Sequence, residues 1–391
     1  MSGLRSTLRR ALGRPVAAPP RPGPPLSLLE LATHGAAPLE QAAPPGPGQP
    51  LRVAAIVPSF RRGSGGHRTI VRVLDELARR GHAVSVWLED CEGRHAVEPP
   101  SLTRRAFRDF FAAERLELES DFDRWEGADV AIATGWQTVA RTLLLPRCKA
   151  RAYLVQDHEP DFYGASAEAL WASESYRQGL HCIAASEWLA GLLGERYGAS
   201  AGHFDLGVDG AEYRLSGARR DDLVVFYARA ATPRRAVSLG LLALTELKRR
   251  RPGIEIVLFG EADELPAPFP HRNVGVLDAS RLSELYSRAA VGMVLSLTNP
   301  SLIGLEMMAC GLPCVELASD SMLASFGADG PLLLAAPDPL ELCAAIESLL
   351  DDPARREQLA RAGLALTAER SWERAASQVE EQLRAAIGTA A

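Results

Sequence analysis

The sequence predicts an α/β protein with two doubly wound domains that face each other across a cleft. Two observations predict this fold. Short apolar runs alternate with segments of helical spacing from Leu51 onward, and the same alternation begins again at Leu223. The chain has 391 residues, 47% of them hydrophobic, which is enough for two globular domains with buried cores.

The first half begins with the apolar run Arg52–Pro58, RVAAIVP, which is typical of a buried parallel strand. Helical spacing then predicts a helix over Arg68–Arg80, and Gly81 ends it. Further strands are expected at Ala83–Leu88, Val130–Thr134, Ala152–Gln156 and Ile183–Ser186. A helix over Glu187–Tyr197 completes this half.

The second half repeats the pattern. Its expected strands are Leu223–Tyr227, Ile254–Phe259, Val274–Leu277, Val291–Leu297, Pro313–Leu317 and Leu332–Ala335. Its main expected helices are Val237–Arg250, Arg281–Ala289 and Ser301–Cys310, with a last one from Ser371 to about Ile387. The chain is therefore divided into a tail, two domains and a final helix, over residues 1–50, 51–207, 208–365 and 366–391.

The tail has a different composition, since 11 of the 27 prolines lie within residues 1–50. Residues 15–50 are expected to be an extended, poorly ordered linker. Residues 1–14 carry leucines at helical spacing beside arginines, which fits either a basic helix that attaches to an anionic membrane or a frayed tail. No signal peptide or membrane span is recognised, so we expect a cytoplasmic protein, with peripheral contact at the inner face of the membrane through residues 1–14 as one interpretation.

The net charge of −6 argues against general nucleic-acid binding. The cations are almost all arginine, because Lys149 and Lys248 are the only lysines. An anion site must therefore use guanidinium groups or backbone N–H groups. The six cysteines are scattered without a C-x-x-C pair, which predicts buried thiols and no metal site.

The first candidate site is the loop after the first strand, where Gly65, Gly66, His67 and Arg68 open a helix. Glycines let the backbone approach a ligand, and the helix N-terminus adds partial positive charge. The dinucleotide pattern G-x-G-x-x-G fails at Arg68. A plain strand-to-helix turn is the alternative interpretation.

The second candidate site follows the first strand of the second half. Arg229, Arg234 and Arg235 stand between a strand end and a helix, where they can bind a diphosphate. A solvated basic loop is the alternative.

The third candidate is the start of the helix expected from Ser301. Asn299 is expected to be its N-cap, and the N–H groups of Ser301, Leu302 and Ile303 are expected to form an anion socket. Glu306, about one and a half turns further along, can accept hydrogen bonds from two vicinal ribose hydroxyls. An exposed helix glutamate is the alternative for Glu306.

The fourth candidate is the acidic and histidine cluster Asp157, His158 and Glu159 after a strand of the first half. These side chains can position or deprotonate a hydroxyl acceptor, and we expect them to be catalytic. A helix-capping cluster before Pro160 fits equally well.

Taken together, these motifs resemble the nucleotide-sugar glycosyltransferases of the GT-B fold, in the large retaining family 4. The resemblance extends from residue 51 to about residue 385. In the first half it rests on Gly65-Gly66-His67 and on R-G-H-A-V at residues 80–84. In the second half it rests on the arginines of the second candidate site and, most specifically, on E-M-M-A-C-G-L-P-C-V at residues 306–315.

Two positions depart from the family pattern. The first acid of the paired-glutamate motif E-x7-E is missing, and Thr298 or Asn299 takes its place. The lysine of the phosphate site is replaced by Arg234 or Arg235. Both departures resemble the WsaF-like branch of bacterial rhamnosyltransferases.

This resemblance implies dTDP-β-L-rhamnose, or another dTDP- or UDP-sugar, as donor and a growing polysaccharide or lipid-linked glycan as acceptor. It implies transfer with retention, an acceptor-side domain at 51–207, a nucleotide-sugar domain at 208–365 and a last helix that crosses back to the first domain. No D-x-D pair stands at a strand end, so neither a metal nor another cofactor is expected. A nucleotide-sugar epimerase of the same architecture and a catalytically silent partner in a glycan-assembly complex are the alternatives.

Overall fold

The structure is a computed structural model that describes residues 25–41, 45–46, 48–263 and 265–390. The basic helix expected within residues 1–14 lies outside the described residues. Two parallel sheets with flanking helices make up most of the described chain. No helix in this part of the chain is long and apolar enough to cross a membrane.

A helix, α1 (Leu26–His34), precedes the first sheet and corrects the expectation that residues 15–50 form an extended linker. Its sequence LSLLELATH contains four leucines and no proline, so the proline-rich composition of the tail does not apply to it. Leu31 packs against the core of the first domain. Just beyond the helix, the N–H of Ala37 donates a 2.9 Å hydrogen bond to the carbonyl of Leu143. This part of the tail is therefore docked on the first domain.

The first domain contains a sheet of seven parallel strands. The strands are β1 (Arg52–Pro58), β2 (Ala83–Glu89), β3 (Leu118–Glu119), β4 (Ala128–Ala133), β5 (Cys148–Val155), β6 (His181–Ala184) and β7 (Ala201–His203). They lie in the order β3-β2-β1-β4-β5-β6-β7. The helices are α2 (Gly65–Arg79), α3 (Pro100–Phe111), α4 (Trp136–Leu144), α5 (Ala167–Ser175) and α6 (Glu187–Tyr197). The central strand β1 is apolar because helices cover both faces of the sheet.

The second domain contains a sheet of six parallel strands. They are β8 (Leu223–Tyr227), β9 (Glu255–Phe259), β10 (Arg272–Asn273), β11 (Val291–Met293), β12 (Cys314–Leu317) and β13 (Leu332–Ala335). Their order is β10-β9-β8-β11-β12-β13. The helices are α7 (Val237–Arg250), α8 (Ala279–Arg288), α9 (Leu302–Ala309), α10 (Asp320–Phe326), α11 (Pro339–Asp351) and α12 (Pro353–Ala368).

Two expected strands are wrong in their extent. No residue of the strand expected at Val274–Leu277 lies in a strand: a two-residue strand, Arg272–Asn273, comes just before it, and Gly275 then adopts a φ of +70° and turns the chain out of the sheet. The apolar residues after this turn line the cleft, which explains their strand-like sequence. The strand expected over Val291–Leu297 ends at Met293.

The last helix, α13 (Trp372–Ala390), packs against α2 and β5 of the first domain. The Arg80 Nε atom donates to Glu380 Oε2 across this contact at 2.9 Å. The connection is tight where the two chain segments meet, since a Cβ at Gly207 would lie 2.7 Å from the backbone nitrogen of Trp372. The first domain therefore holds the end of the described chain.

Candidate active site

A cleft of about 620 Å³ lies between the two domains, at the carboxyl ends of strands from both sheets. Open α/β sheets bind ligands at this edge. The cleft is lined by every residue of two of the four predicted clusters and by part of the other two, since Asn299 and His158 do not line it. The predicted residues that line it are Gly65, Gly66, His67, Arg68, Asp157, Glu159, Arg229, Arg234, Arg235, Ser301, Leu302, Ile303 and Glu306.

Helix α2 begins at Gly65, on the first-domain side of the cleft. The N-cap Ser64 makes no side-chain hydrogen bond to the backbone, because its hydroxyl bonds instead to His67 Nδ1 at 2.9 Å. The N–H groups of Gly65 and Gly66 therefore border the cleft without a side-chain cap. They can bind an anion or an acceptor hydroxyl.

The side chain of His67 holds this loop in place through contacts with the residues around it. Its Nε2 lies 3.1 Å from the carbonyl of Pro58, and its ring stacks on Phe111 with centroids 5.6 Å apart. Burial lowers the pKa of His67, which favours the neutral ring with Nε2 donating to the carbonyl. Both ring nitrogens are thus occupied, and His67 positions the loop.

Arg68 reaches from the same helix toward the second domain. Its guanidinium pairs with Glu212 and lies 3.4 Å from the hydroxyl of Tyr213. Both partners belong to the connection between the domains. Arg68 therefore joins the first turn of α2 to that connection while it lines the cleft.

Glu306 lies in the wall of the cleft on helix α9 and is only 6% exposed. Its Oε2 atom has no hydrogen-bond partner. Burial raises its pKa to about 7, and the nearby charge of Arg68 opposes the rise. An unpartnered buried carboxyl oxygen in a cleft is available to accept hydrogen bonds from a ligand.

The start of α9 differs from the prediction. The helix begins at Leu302, and its N-cap is Ser301, whose Oγ accepts the N–H of Ile303 at 3.3 Å. Asn299 is not the cap, because its side chain forms hydrogen bonds with the first domain. Its Nδ2 donates to the carbonyl of Gln156 at 3.0 Å. The cap occupies the Ile303 amide, so Ser301 and Leu302 supply the free donors of the predicted socket.

The three predicted arginines all line the cleft on the second-domain side. Arg229 Nη1 donates to the carbonyl of Gly63 across the cleft at 3.2 Å. Arg235 Nη1 donates to Ser296 Oγ at 2.5 Å. The Arg234 guanidinium stacks on Phe162 at 4.0 Å from the ring centroid. These contacts fix three positive charges at the carboxyl end of β8.

Asp157 links the two domains at the centre of the site. Its Oδ1 accepts the N–H of Asn299 at 3.0 Å, and its Oδ2 accepts the hydroxyl of Thr298 at 3.0 Å. Arg234 Nε lies 3.2 Å from the same Oδ2. A side chain from the first domain is therefore held by three groups of the second.

Glu159 lies at the base of the cleft. It accepts hydrogen bonds from the N–H of Trp136, at the start of α4, and from the hydroxyl of Tyr153, at 2.8 and 2.7 Å. Burial raises its pKa to about 7. Glu159 is thus fixed in place and can take or release a proton near neutral pH.

His158 is a correction to the predicted catalytic cluster, since it does not line the cleft. It is 1% exposed, and its ring nitrogens lie 2.7 Å from Asp161 Oδ2 and 2.6 Å from the hydroxyl of Tyr197. Asp157 and Glu159 line the cleft, whereas the side chain of His158 between them points toward Asp161 and Tyr197. His158 therefore stabilises the turn at residues 157–161 from the side that faces away from the cleft.

Sequence reasoning missed Glu316, which is 2% exposed on β12. Its Oε1 accepts the N–H groups of Ser296 and Leu317 at 2.7 and 2.9 Å. Burial raises its pKa to about 8. The available signal was a glutamate within an otherwise apolar strand.

Among the described residues, no group of three or more His, Cys, Asp or Glu side chains is placed to hold a metal ion. The described cysteines are all free thiols, and five of them are buried: Cys148, Cys182, Cys310, Cys314 and Cys343.

Solved structures share this two-domain architecture over most of the chain. The sucrose-phosphate synthase of Thermosynechococcus elongatus matches with a TM-score of 0.65 and 17% identity, covering 86% of this chain and 99% of that one. HepE of Anabaena, solved in complex with UDP-glucose, matches with a TM-score of 0.63 and 15% identity, covering 87% and 100%. WaaG, a glycosyltransferase involved in lipopolysaccharide biosynthesis, matches with a TM-score of 0.59 and 13% identity, covering 85% and 99%.

The chain has the GT-B fold.

Sequence comparison gives two further similarities. Residues 222–347, which include most of the second GT-B domain, match the family described as WsaF, C-terminal domain. The O-antigen biosynthesis protein RfbC of Myxococcus xanthus is 30% identical over 355 residues, which cover 86% of this chain and 27% of that protein. The chain thus spans about a quarter of the length of this relative.

Proposed function

We propose that this protein is a glycosyltransferase that transfers a sugar from a nucleoside diphosphate to a growing polysaccharide or a lipid-linked glycan. The proposal rests mainly on one observation: anion-binding groups and a carboxyl oxygen without a hydrogen-bond partner line the same cleft. Arg229, Arg234 and Arg235 meet the start of α9 there, and Glu306 lies one to two turns along that helix. The arginines and the start of α9 can bind a diphosphate, and the Glu306 carboxyl group can accept a hydrogen bond from a nucleoside hydroxyl.

The donor that we propose is dTDP-β-L-rhamnose. Support comes from the match of residues 222–347 to the WsaF C-terminal family and from the two sequence departures described above. The similarity to a protein named for O-antigen biosynthesis supports a surface polysaccharide as acceptor. HepE, whose structures contain UDP and UDP-glucose, supports a nucleotide sugar in this cleft and makes UDP-sugars the first competitors to test.

The proposed mechanism is electrostatic. The leaving diphosphate gains negative charge as the glycosidic bond breaks, and the fixed guanidinium groups of Arg229, Arg234 and Arg235 stabilise that charge. The amides of Ser301 and Leu302 add a helix N-terminus at the same place. We expect retention at the anomeric carbon and a reaction that proceeds in the presence of a chelator.

The acceptor side of the proposed site is the first domain. The loop of Gly65, Gly66 and Arg68 borders the cleft there, and Asp157 and Glu159 supply carboxyl groups close to it. Glu159, with a pKa of about 7, is the better group to exchange a proton with an acceptor hydroxyl. Asp157 is engaged by the second domain and is better suited to positioning.

The experiment is a transfer assay with dTDP-β-L-rhamnose and, separately, UDP-glucose, using a fluorescent rhamnose-terminated oligosaccharide as acceptor. The double variant Arg234→Ala/Arg235→Ala is expected to lose at least about 100-fold in kcat/KM and to keep its circular dichroism spectrum. Arg249→Ala/Arg250→Ala is the matched control, because it removes two adjacent arginines on α7, outside the cleft.

Three outcomes would overturn the proposal. Unchanged transfer in the Arg234/Arg235 variant would remove the assigned diphosphate site. Interconversion of the nucleotide sugar without an acceptor would favour an epimerase. Failure to bind any dTDP- or UDP-sugar by calorimetry would favour a silent partner in a glycan-assembly complex.

A further inference from the structure

The second domain lacks a carboxylate at the position where the resembled motif has one. In the pattern E-x7-E that ends at Glu306, the first position is Thr298, and its neighbour is Asn299. Neither side chain carries a negative charge. The donor-side wall of the cleft therefore has one acid where the pattern has two.

A carboxylate from the other domain reaches this position. Asp157 accepts the hydroxyl of Thr298 and the backbone N–H of Asn299, each at 3.0 Å. Thus the same carboxylate contacts both residues that sequence alignment offers for the missing acid. Thr298 and Asn299 are 141 and 142 positions from Asp157 in the chain, so no local sequence pattern dictates the contact.

The contact is buried and held from several sides. Asp157, Thr298 and Asn299 are 8%, 4% and 1% exposed. Ser321 Oγ donates to the carbonyl of Thr298, at 2.5 Å, and Asn299 Nδ2 donates to the carbonyl of Gln156, at 3.0 Å. A buried polar contact with partners on both domains has a defined geometry, unlike an exposed ion pair.

The second departure from the family pattern, an arginine in place of a lysine, contacts the same carboxylate of Asp157. Arg234 stands where the resembled motif has a lysine, or beside that position, and its Nε lies 3.2 Å from Asp157 Oδ2. A guanidinium can turn Nε toward one anion and its two terminal nitrogens toward another, whereas a lysine ammonium is a single point charge. Arg234 forms an ion pair with Asp157 without hydrogen-bond geometry, and its terminal nitrogens can bind a donor diphosphate.

We propose that Asp157 supplies, from the first domain, the carboxylate that the second domain lacks. The complete set of charged groups around the donor then exists only when the two domains are in contact. Domain closure would thereby be a condition for transfer as well as a means of bringing the substrates together. This proposal rests on the proposed function for its activity test, and a second test below is independent of it.

The first test is a transplant of the carboxylate. Asp157→Ala is expected to lose about 100-fold in kcat/KM. Thr298→Glu alone is expected to lose activity too, because it places a second carboxylate against Asp157 in a buried site. The double variant Asp157→Ala/Thr298→Glu is expected to regain at least about tenfold over Asp157→Ala, since the charge returns and the repulsion is gone. Asp157→Ala/Asn299→Asp is the second transplant, because it places a shorter side chain beside the same position.

The matched control is Asp161→Ala/Thr298→Glu. Asp161 is an acid of the same turn that bonds to His158, whereas the hydroxyl of Thr298 bonds to Asp157. Loss of Asp161 should not relieve Thr298→Glu. If both transplants stay at the activity of Asp157→Ala while their melting temperatures equal that of the wild type, the proposal is overturned.

The second test needs no substrate. Asp157→Asn and Thr298→Val, singly and together, form a double-mutant cycle in thermal unfolding of the full chain. We expect the double variant to lose clearly less melting temperature than the sum of the two single losses, and additive losses would overturn the contact. A wild type without transfer activity but with non-additive losses would contradict the proposed function alone, so the two failures are distinguishable.

Discussion

The N–H of Ser296 donates a 2.7 Å hydrogen bond to Oε1 of Glu316, a glutamate that is almost completely buried. The hydroxyl of the same serine accepts a hydrogen bond from Arg235. Glu316 therefore fixes the backbone of Ser296, and the side chain of Ser296 in turn holds Arg235, one of the proposed diphosphate-binding arginines. This arrangement gives the protein a stability that depends on pH.

The first prediction concerns Glu316→Gln. Burial raises the pKa of Glu316 from 4.5 to about 8, so the folded state holds a proton that the unfolded state releases between these values. The free energy of unfolding should therefore fall as pH rises through this range. Glutamine resembles the protonated side chain and does not titrate, so the variant should lose less stability across this range, and the difference is most specific to Glu316 from pH 7 to 8.

Chemical denaturation at several pH values measures this effect. Glu373→Gln, an exposed glutamate at the start of α13, is the control and should keep the slope of the wild type. Glu159 and Glu306 have raised pKa values of about 7, so part of the slope below pH 7 should remain in Glu316→Gln. An unchanged slope above pH 7 would mean that Glu316 does not titrate there.

The second prediction separates His158 from catalysis. His158→Phe keeps an aromatic ring but leaves the hydroxyl of Tyr197 without its 2.6 Å partner. We expect a loss of about 1–3 kcal/mol in the free energy of unfolding, with kcat/KM of the folded enzyme within about threefold of the wild type. Denaturation curves and initial rates measure the two quantities.

Tyr197→Phe is the companion variant, because it removes the other end of the same contact. Its loss of stability should not add fully to that of His158→Phe. A loss of about 100-fold in kcat with normal stability would instead return His158 to the catalytic groups.

The elements that sequence predicted best are those whose residue pattern is set by local packing. Strand β1 and helix α7 have the predicted bounds, because an apolar run between two helical layers and an amphipathic helix on a sheet are both visible in the sequence. Helix α4 was missed. Its buried face includes Thr138 and Thr142, so the periodicity of its apolar residues is hidden.

The site was predictable in its residues but not in their partners. Asn299 is a good N-cap by type, yet Ser301 caps α9 because the first domain engages the Asn299 side chain. Asp157 was expected to face an acceptor; it lines the cleft, and it also contacts Thr298 of the other domain, which the sequence did not indicate. Such contacts depend on how two domains meet, which no local spacing encodes.

The third prediction places an acceptor sugar on Phe110. This side chain lines the cleft from helix α3 and is 38% exposed. Edge contacts with Phe60 and Phe111, with ring centroids 6.3 Å apart in both pairs, hold it in place. A rigid, half-exposed ring in a cleft can pack against the apolar face of a sugar. Phe110→Ala should raise the KM for the acceptor about tenfold and leave donor affinity unchanged.

Leu102→Ala is the control for Phe110. Leu102 is on the same helix, is 53% exposed and does not line the cleft. Phe110→Tyr should retain most of the acceptor affinity because it keeps the ring. Calorimetry with the donor and initial rates over a range of acceptor concentrations distinguish the two substrates. Equal effects of Phe110→Ala and Leu102→Ala on the acceptor KM would exclude a specific contact.

The fourth prediction concerns the pH dependence of donor binding through Glu306. Its pKa is raised to about 7 by burial, and its Oε2 atom has no partner in the protein. A carboxylate accepts hydrogen bonds from donor hydroxyls better than a protonated carboxyl does, so donor affinity should rise as pH increases through 7. Glu306→Gln should weaken binding about tenfold at pH 8 and abolish the rise, which calorimetry with the same donor from pH 6 to 8 measures.

The free diphosphate without the nucleoside is the control, since it does not contact Glu306 in the proposed site and should show the same pH dependence of binding in both proteins. If Glu306→Gln retained the full rise for the donor, another group would have to titrate, and Glu159 is the candidate because it also lines the cleft and has a pKa of about 7.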